Sequence, residues 1–491
     1  MGLEIENTDF SAADFEKFSG KLHDNLAALK QVLARPGFGE GDLSFGAELE
    51  LYIVNCDGEP LPKNQEVVAQ LNDPQLTLEL NRYNLEYNFS PVRIKDGCFA
   101  ATQKEALAAL AKINACASQW GGRVVPIGIL PTLQQSDTGY HAMTPLHRFE
   151  ALTNELTKLR GGPFTIAIEG EDTLQLAMDD MTLEGANTSF QVHLRVPPQE
   201  FADFYNALQL VTPLVVAMSA NSPTLFGHRL WHETRIPLFK QSIDWRPKDG
   251  MHPMPARVNF GNNWIRDSAY ELFAEATLLY RPLLPICHDE DPLAIVRNGG
   301  TPQLHELRLH QGSIWLWNRP VFDPINGGHL RIELRAFPAG PSIVDMLANA
   351  ALAIGLAKSL QSSIKELLPA IPFTYCTANF YRAAQKGMAA ELFWPSTRQS
   401  QPEYFSVPSI LKTLLPKLPE SLYSMGFLKD DVAGLLDVIA ERLETRQTGA
   451  QWQLNKLVEL SKYMHKREAL QEMLRQYQIN SDTNTPVARW R

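Results

Sequence analysis

The stretch FGAELELYIV, residues 45–54, alternates apolar residues with Glu48, Glu50 and Tyr52. This period of two predicts a β-strand with one apolar face and one face that carries both carboxylates. Two such carboxylates repel each other by about 1 kcal/mol at 4 Å in water, and by several times that where water is thinned. A strand built in this way therefore needs something that offsets the repulsion, and a bound cation would do so.

Three further stretches repeat the pattern of one apolar and one polar face. Half-apolar strands of this kind predict an antiparallel sheet with helices packed on one side only, and thus an α+β protein. The polar faces are formed by Asn84, Glu86 and Asn88 in NLEYNF, by Gln191, His193 and Arg195 in TSFQVHLRV, and by His329, Arg331, Glu333 and Arg335 in HLRIELR.

The composition of these polar faces favours a metal site. For any single strand, a solvated face is the more frequent interpretation, and such faces usually mix Thr, Lys, Ser and Glu. Here they carry Glu, Gln, His and Arg and no Lys. Carboxylate oxygens with a single imidazole suit Mg²⁺ or Mn²⁺ better than zinc. The candidate metal ligands are Glu48, Glu50, Glu86, His193 and Glu333.

Arg331 and Arg335 flank Glu333 on the same strand face. Guanidinium groups bind phosphate oxygens bidentately, so carboxylates that hold magnesium beside these arginines indicate phosphoryl transfer. The sequence has neither the G-x-x-x-x-G-K-[ST] motif nor a kinase-type glycine loop, which disfavours P-loop and protein-kinase folds.

Two other features have two interpretations each. Trp315 and Trp317 share a strand face, where they could stack on adenine or pack in the core. The acidic run at 288–291, HDED, could bind a cation, but a charge cluster followed by proline is more often a solvated loop.

The overall charge and the cysteines exclude several classes of protein. With 45 basic and 55 acidic residues the net charge is −10, which disfavours nucleic acid and anionic lipid as partners. Five scattered cysteines indicate neither a disulfide framework nor a thiolate zinc site. The most apolar run, 208–218, is shorter than the roughly 20 residues that span a bilayer. We expect an unprocessed, soluble, cytoplasmic protein with no membrane partner.

Hydrophobic periodicity predicts one large α+β unit. Residues 222–305 read as irregular apart from a helix near 268–279, and long loops of this kind usually belong to a working site or a lid. Residues 405–478 read as helices only, and the polar end from 479 to 491 is expected to be frayed. We predict a single catalytic domain, 1–491, with an N-terminal helix in 1–36, a catalytic core in 37–400 and a helical C-terminal region in 401–491.

Predicted helices lie at 13–33, 99–120, 147–160, 201–220 and 342–366, in addition to the one near 268–279. Predicted strands lie at 44–54, 75–80, 84–89, 123–130, 164–168, 188–196, 311–319 and 329–337.

Four motifs, in this order along the chain, resemble those of the carboxylate-amine ligases of the glutamate-cysteine ligase family 2 type, within the glutamine synthetase superfamily. The strand motif RIELR also resembles the equivalent strand of glutamine synthetases. The motifs are GAELE (46–50), AMSANSPTLFG (217–227), GSIWLWNRP (312–320) followed by RIELR (331–335), and TGAQWQ (448–453).

The resemblance implies a half-barrel antiparallel sheet, with helices on its outer face, whose concave face binds ATP and two or three Mg²⁺ ions. In that family the γ-phosphate is passed to a substrate carboxylate, often of glutamate, and an amine then displaces phosphate to form an amide. Carried over by position, the metal ligands are Glu48, Glu50, Glu86, His193 and Glu333, the cofactor-binding residues are Gln191, Arg331, Arg335 and His193, and the catalytic residues are Arg235, Arg335 and Glu333.

The chain departs from the family pattern in three places. Gln191-Val192-His193 mixes the H-x-H and Q-x-N forms of relatives, AFPAG follows the E-x-R strand where an Asp often stands, and one residue is deleted between Gly227 and Arg235. These differences concern the identity of the substrate more than the use of ATP. Arg235 is expected to hold a substrate carboxylate or the transferred phosphate.

The leading hypothesis is an ATP- and Mg²⁺-dependent carboxylate-amine ligase that joins small-molecule substrates, amino acids above all. Glutamate-cysteine ligase or another γ-glutamyl ligase would be an example, and the resemblance allows a homodimer. One rival is a phosphotransferase on the same fold that stops at a phosphorylated product. The other is a non-catalytic relative that binds nucleotide or metal.

Overall fold

The strand that contains both glutamates, residues 44–54, lies at the centre of the fold in the computed structural model, which describes residue 5 and residues 7–247, 254–395 and 403–491. The described strands are β1 (Ser44–Val54), β2 (Leu76–Leu78), β3 (Asn84–Asn88), β4 (Val92–Arg93), β5 (Arg123–Val125), β6 (Phe164–Glu169), β7 (Thr173–Met178), β8 (Phe190–Arg195), β9 (Thr224–Leu225), β10 (His228–Arg229), β11 (Val258–Asn259), β12 (Trp315–Leu316), β13 (Asn318–Asp323), β14 (His329–Leu334), β15 (Glu391–Phe393) and β16 (Tyr404–Ser406).

The described helices are α1 (Ala12–Leu33), α2 (Asn64–Leu71), α3 (Cys98–Ala117), α4 (His147–Arg160), α5 (Phe201–Ser219), α6 (Arg235–Ser242), α7 (Tyr270–Leu279), α8 (Pro292–Arg297), α9 (His305–Gly312), α10 (Ile343–Gln361), α11 (Ile364–Leu367), α12 (Phe373–Lys386), α13 (Val407–Leu414), α14 (Leu418–Ser424), α15 (Lys429–Thr445), α16 (Gly449–Leu460) and α17 (Lys466–Asp482).

The central sheet has the strand order β13-β14-β8-β1-β3-β2, and β4 and β5 also pair with β1. Every pairing in this sheet is antiparallel, which confirms the predicted fold class. The apolar face of β1 packs against α3, where the rings of Phe45 and Phe99 lie 5.2 Å apart. Helices therefore cover one face of β1, and the face with the glutamates is left for other use.

Two long apolar helices, α5 and α10, pack against each other in the core. Both are long and apolar enough to cross a membrane by length and composition alone. Within this structure 94% of the apolar window of α5 and 83% of that of α10 are buried. They are core helices, because the fold itself already buries their apolar surface.

The C-terminal helices are joined to this core by a buried ion pair. Arg442 of α15 donates from Nη2 to Oδ1 of Asp345 in α10 over 2.6 Å, and both side chains are almost fully buried. Arg442 also donates to the carbonyl of Met218 at the end of α5. A single guanidinium thus connects three helices from distant parts of the chain.

The expectation of a frayed C-terminus is wrong. Helix α17 continues to Asp482, and Trp490 is 6% exposed. The Trp490 ring lies 5.2 Å from the rings of both Trp452 and Tyr477. The burial of Trp490 was not predicted, because most residues of this segment are polar. Its buried apolar side chains are those of Val487 and Trp490.

The segment 222–305 is more regular than its sequence suggested, because α6 and α8 form within it and α9 begins at its end. The strand predicted at 311–319 is correct only in part, since residues 311 and 312 end α9 and two strands follow, at 315–316 and 318–323. The acidic run at 288–291 has structural contacts in a loop: Asp291 caps α8 by accepting from the backbone of Ala294, and Glu290 accepts from the backbone of Leu304. The predicted domain boundary between residues 400 and 401 lies outside the described residues.

Replacement of Arg442 by methionine should lower the free energy of unfolding by about 3–5 kcal/mol, because it leaves the buried Asp345 carboxylate without its countercharge. The control is Arg489→Met, which breaks an Arg489–Glu441 pair of similar length whose side chains are 55% and 35% exposed. That change should cost much less, because water screens an exposed pair. Urea unfolding of the three proteins would measure this, and equal losses in both variants would contradict it.

Candidate active site

The register of the sheet brings the predicted polar faces together. In β1, Glu50 lies opposite Glu86 of β3, and Glu48 lies opposite Gln191 of β8. Side chains at directly opposed positions share a face and lie about 5 Å apart at Cβ. The next pairing along the sheet sets Glu333 of β14 opposite His193. The structure therefore gathers six predicted site residues on one face: Glu48, Glu50, Glu86, Gln191, His193 and Glu333.

Glu333 lies at the centre of a charged network and is fully buried. Arg319 of β13 donates to it bidentately, from Nε to Oε2 over 2.8 Å and from Nη2 to Oε1 over 3.0 Å. Arg335 also donates to Oε1. Burial by itself would raise the pKa of Glu333, but the two guanidiniums outweigh it and hold that pKa well below its usual range.

Glu48 pairs with His193, whose Nε2 lies 3.0 Å from Oε1 of the carboxylate. Burial raises the pKa of Glu48, and the charge of His193 more than offsets this and lowers it to about 2. One ligand atom each from Glu48, His193 and Glu333 can be chosen so that all three lie within 4.8 Å of one another. The Nδ1 atom of His193 is buried and has no hydrogen-bond partner among the described residues.

Four other carboxylates around this triad resist ionisation. Burial and then the charges of neighbouring glutamates raise the pKa of Glu86 to about 7 and that of Glu184 to about 8. Burial is also the main cause that raises the pKa of Glu50 and Glu79. The Glu50 carboxylate is held in position by a hydrogen bond that it accepts from the backbone N–H of Ser189 over 2.7 Å. For these four acids the cost of burial outweighs the nearby arginines, such as Arg335 beside Glu50.

This donor set fits a divalent cation. A bound cation would lower these raised pKa values, since it stabilises the carboxylates in the charged form. Oxygen ligands with one imidazole suit Mg²⁺ or Mn²⁺. Glu48, His193 and Glu333 form the tightest group, and Glu50 and Glu86 lie on the adjoining part of the same face.

The face opens into a cavity of about 990 Å³. Arg331, Arg335 and Asp323 line this cavity. The Nη2 atom of Arg331 lies 3.5 Å from Oδ2 of Asp323. Of the two tryptophans, Trp315 lines the cavity, whereas Trp317 is buried 5.7 Å from the ring of Phe239. Packing is thus the role of Trp317, and stacking on adenine stays a prediction for Trp315.

Arg235 lies beneath the site and does not line the cavity. Its side chain is almost fully buried and donates to Glu233 over 3.1 Å. It also donates to the backbone carbonyls of Ala336 and Arg335. In this structure Arg235 supports the segment that carries Arg335, and a direct contact with substrate stays a prediction.

Two of the quoted motifs meet behind the site. Asn221, in the SANSP motif, accepts from Nε2 of Gln453, in the TGAQWQ motif, over 2.8 Å. It also donates to the carbonyl of Ala339, which lies shortly after Arg335, over 2.8 Å. A Cβ at position 449 would collide with the Asn221 side chain, so the glycine of TGA permits this approach. These motifs join the site to the C-terminal helices.

Sequence reasoning missed three charged residues of the site. Glu79 follows β2 two positions after Thr77, which lies opposite Glu86, so the same alternation could have revealed it. Arg319 of β13 lies opposite Glu333. It was missed because the sequence analysis of this stretch considered only the aromatic residues before it. Glu184 lies in a loop, where no periodicity marks a residue.

The sequence model of glutamate-cysteine ligase family 2 matches residues 44–403. The structure of a glutamate-cysteine ligase from Francisella tularensis in complex with AMP is similar, with a TM-score of 0.53 and 10% identity over 91% of this chain and 90% of that one. A bifunctional glutathione synthetase from Pasteurella multocida gives a TM-score of 0.45 and 11% identity, over 94% of this chain and 55% of that one. No curated protein sequence matches the chain.

Binding of Mg²⁺ should release protons and should stabilise the protein most at high pH. The stability that protonated Glu86 and Glu184 contribute is complete below the ordinary carboxyl pKa and is lost as the pH rises through their raised pKa values of about 7 and about 8. The metal-free protein should therefore lose stability between about pH 4.5, the ordinary carboxyl pKa, and about pH 8, and Mg²⁺ should restore more of it at the upper end.

Calorimetric titration with Mg²⁺ in two buffers of different ionisation enthalpy would count the released protons, and thermal melts would follow the stability. Glu86→Gln should reduce the number of protons released near neutral pH, whereas Glu169→Gln, on the exposed side of β6, should leave it unchanged. Binding without any proton release at pH 7 would contradict the assignment.

Proposed function

Because the chain belongs to glutamate-cysteine ligase family 2, a family of ATP-dependent carbon-nitrogen ligases, we propose that it joins a carboxylate to an amine through an acyl phosphate. The family match covers residues 44–403. The observation that carries the proposal is the group formed by Glu48, His193 and Glu333. Glu48 lines the cavity together with Arg335, which donates to the Glu333 carboxylate.

In this proposal Glu48, His193 and Glu333 hold one Mg²⁺, and Glu50 and Glu86 contribute to a second. Bound Mg²⁺ supplies neutralisation of the negative charge on the ATP phosphates. Arg335 and Arg331 bind phosphate oxygens, for which the planar guanidinium has matching geometry. Gln191 keeps Arg335 in place, since its Oε1 accepts from the guanidinium.

The reaction proceeds in two steps. The substrate carboxylate attacks the γ-phosphorus of ATP, which forms the acyl phosphate and releases ADP. The amine nitrogen then attacks the acyl carbon, the carbon–oxygen bond to phosphate breaks, and the ammonium proton is released with the phosphate. Arginine side chains fixed before the reaction, such as Arg335 between Glu333 and Gln191, stabilise charge without reorganising during it.

The same site would serve a phosphotransferase that stops at the acyl phosphate, or a relative that only binds nucleotide. The two substrates are proposed to be amino acids, with glutamate as a candidate acid. Cytoplasmic location and a homodimer remain predictions from the sequence.

A screen of amino acids should identify the substrates. Purified protein with ATP and Mg²⁺ should release ADP with one amino acid or with one pair, tested singly and in pairs with glutamate. In the ligase, ADP and amide appear together in equal amounts, whereas a phosphotransferase releases ADP without an amide. Hydroxylamine should trap the acyl phosphate as a hydroxamate, and a complete lack of ADP release with every pair would favour the binding protein.

The double variant Glu48→Gln, Glu50→Gln should lose at least about a thousandfold of the rate, because two charged metal ligands become neutral amides. Its fold should be retained, since an amide keeps the shape of each carboxyl group. Glu169→Gln is the matched control, as Glu169 is exposed on β6 away from the cavity, and it should keep full activity. Amide synthesis at the normal rate in the double variant would show that the metal assignment is wrong.

A further inference from the structure

A short segment before α1 forms part of the cavity wall. It comprises Ile5 and residues 7–11 and is called the strap here. Ile5, Asn7 and Phe10 of the strap line the same cavity as Glu48 and Glu50. Ile5 is only 8% exposed.

The strap is held on both sides of the cavity. On the side of β2, the carbonyl of Ile5 accepts from Nδ1 of His147 at the start of α4, over 3.1 Å. On the other side, the strap leads into α1, which packs on α7, α8 and α9. Ser11 and Asp14 form a reciprocal cap that fixes where α1 begins. The direction of the strap is therefore set by both attachments.

Helix α1 is itself firmly anchored to the segment that forms the outer cavity wall. Asn25 donates to the buried carboxylate of Glu306 in α9 over 3.0 Å, and Lys21 donates to the carbonyl of Glu290 over 2.9 Å. The rings of Phe10 and Phe15 lie 6.3 Å apart, edge to face. The strap is thus continuous with a helix that is fixed to this wall, and Phe149 and Leu152 line the same cavity as its apolar side chains.

An acyl phosphate needs protection from water. If water attacks the acyl carbon in place of the amine, the carboxylate and inorganic phosphate are regenerated, and one ATP is converted to ADP with no amide formed. Water in bulk is far more concentrated than any amine substrate, so a ligase must keep it out of the cavity while the intermediate exists. An apolar segment in the cavity wall would serve this purpose.

We propose that the strap excludes water from the acyl phosphate, so that the amine and not water completes the reaction. This rests on the proposed ligase function and adds a residue-level determinant of the choice of nucleophile. The strap lies outside residues 44–403, the part of the chain that the family model matches. Phe10 and Ile5 act as positioning residues, because they shape the cavity and do not touch the reacting atoms.

The test measures ADP and amide in the same reaction, with the full chain, a variant that lacks residues 2–10, and Phe10→Ala. The deletion keeps Ser11, so the cap of α1 is preserved. We expect the full chain to form about one amide per ADP, and the deletion to release at least about threefold more ADP per amide, with inorganic phosphate in step, because water reaches the intermediate. Phe10→Ala should give a smaller increase, and Asp9→Ala, an exposed change on the same segment, should give none.

The outcomes are separable. An unchanged ratio in the deletion and in Phe10→Ala would overturn the role of the strap while leaving the ligase function intact. Faster amide synthesis at an unchanged ratio would overturn it too, because the strap would then inhibit the enzyme. If the deletion does not fold, as judged by its thermal melt, the ratio in Phe10→Ala decides. Lack of amide from the full chain with every substrate pair would instead reject the proposed function.

Discussion

The antiparallel register of β1 between β3 and β8 is the constraint on which the site depends. It places Glu48 opposite Gln191 and Glu50 opposite Glu86, while Phe45 packs on Phe99 of α3 at the other face. A slip of one residue would turn both glutamates into the apolar layer and expose leucines to the cavity. Because burial of unpaired carboxylates is far more costly than any local strand preference, the apolar packing and the acidic face specify each other.

Most of the site followed from alternation along single strands. The positions of Glu48, Glu86, His193 and Glu333 could be predicted because a period of two fixes the face of each residue, and antiparallel neighbours then share that face. Arg235 shows the limit of this reasoning, since a motif alone does not tell whether a guanidinium enters the cavity or supports its wall. Glu184 could not be found, because its position depends on the path of a loop in three dimensions.

The fold was predictable where elements are long and was not where they are short. Helices α5 and α10 have many apolar residues in succession, so each carries its own signal. The eight-residue helices α6 and α9 have weak patterns and are stabilised by the structure around them, as isolated helices of that length are marginal. The end of the chain was misjudged for a related reason, since Trp490 gains its burial from Trp452 and Tyr477, which lie outside the polar tail.

The central sheet and the elements that flank it have different roles in the site. Charge neutralisation needs rigid groups at fixed separations, and a paired sheet supplies them through Glu333 and its two arginines. Choice of substrate and exclusion of water need a surface that adapts, and the outer cavity wall is built from α1, α9 and the loop around Cys287. Under the proposed function, relatives that keep the sheet and change these flanks would keep the charged face while changing the cavity wall that meets the substrates. The buried acids of the sheet constrain its sequence strongly, whereas an apolar residue such as Phe10 can be exchanged for another of similar size at little cost in stability.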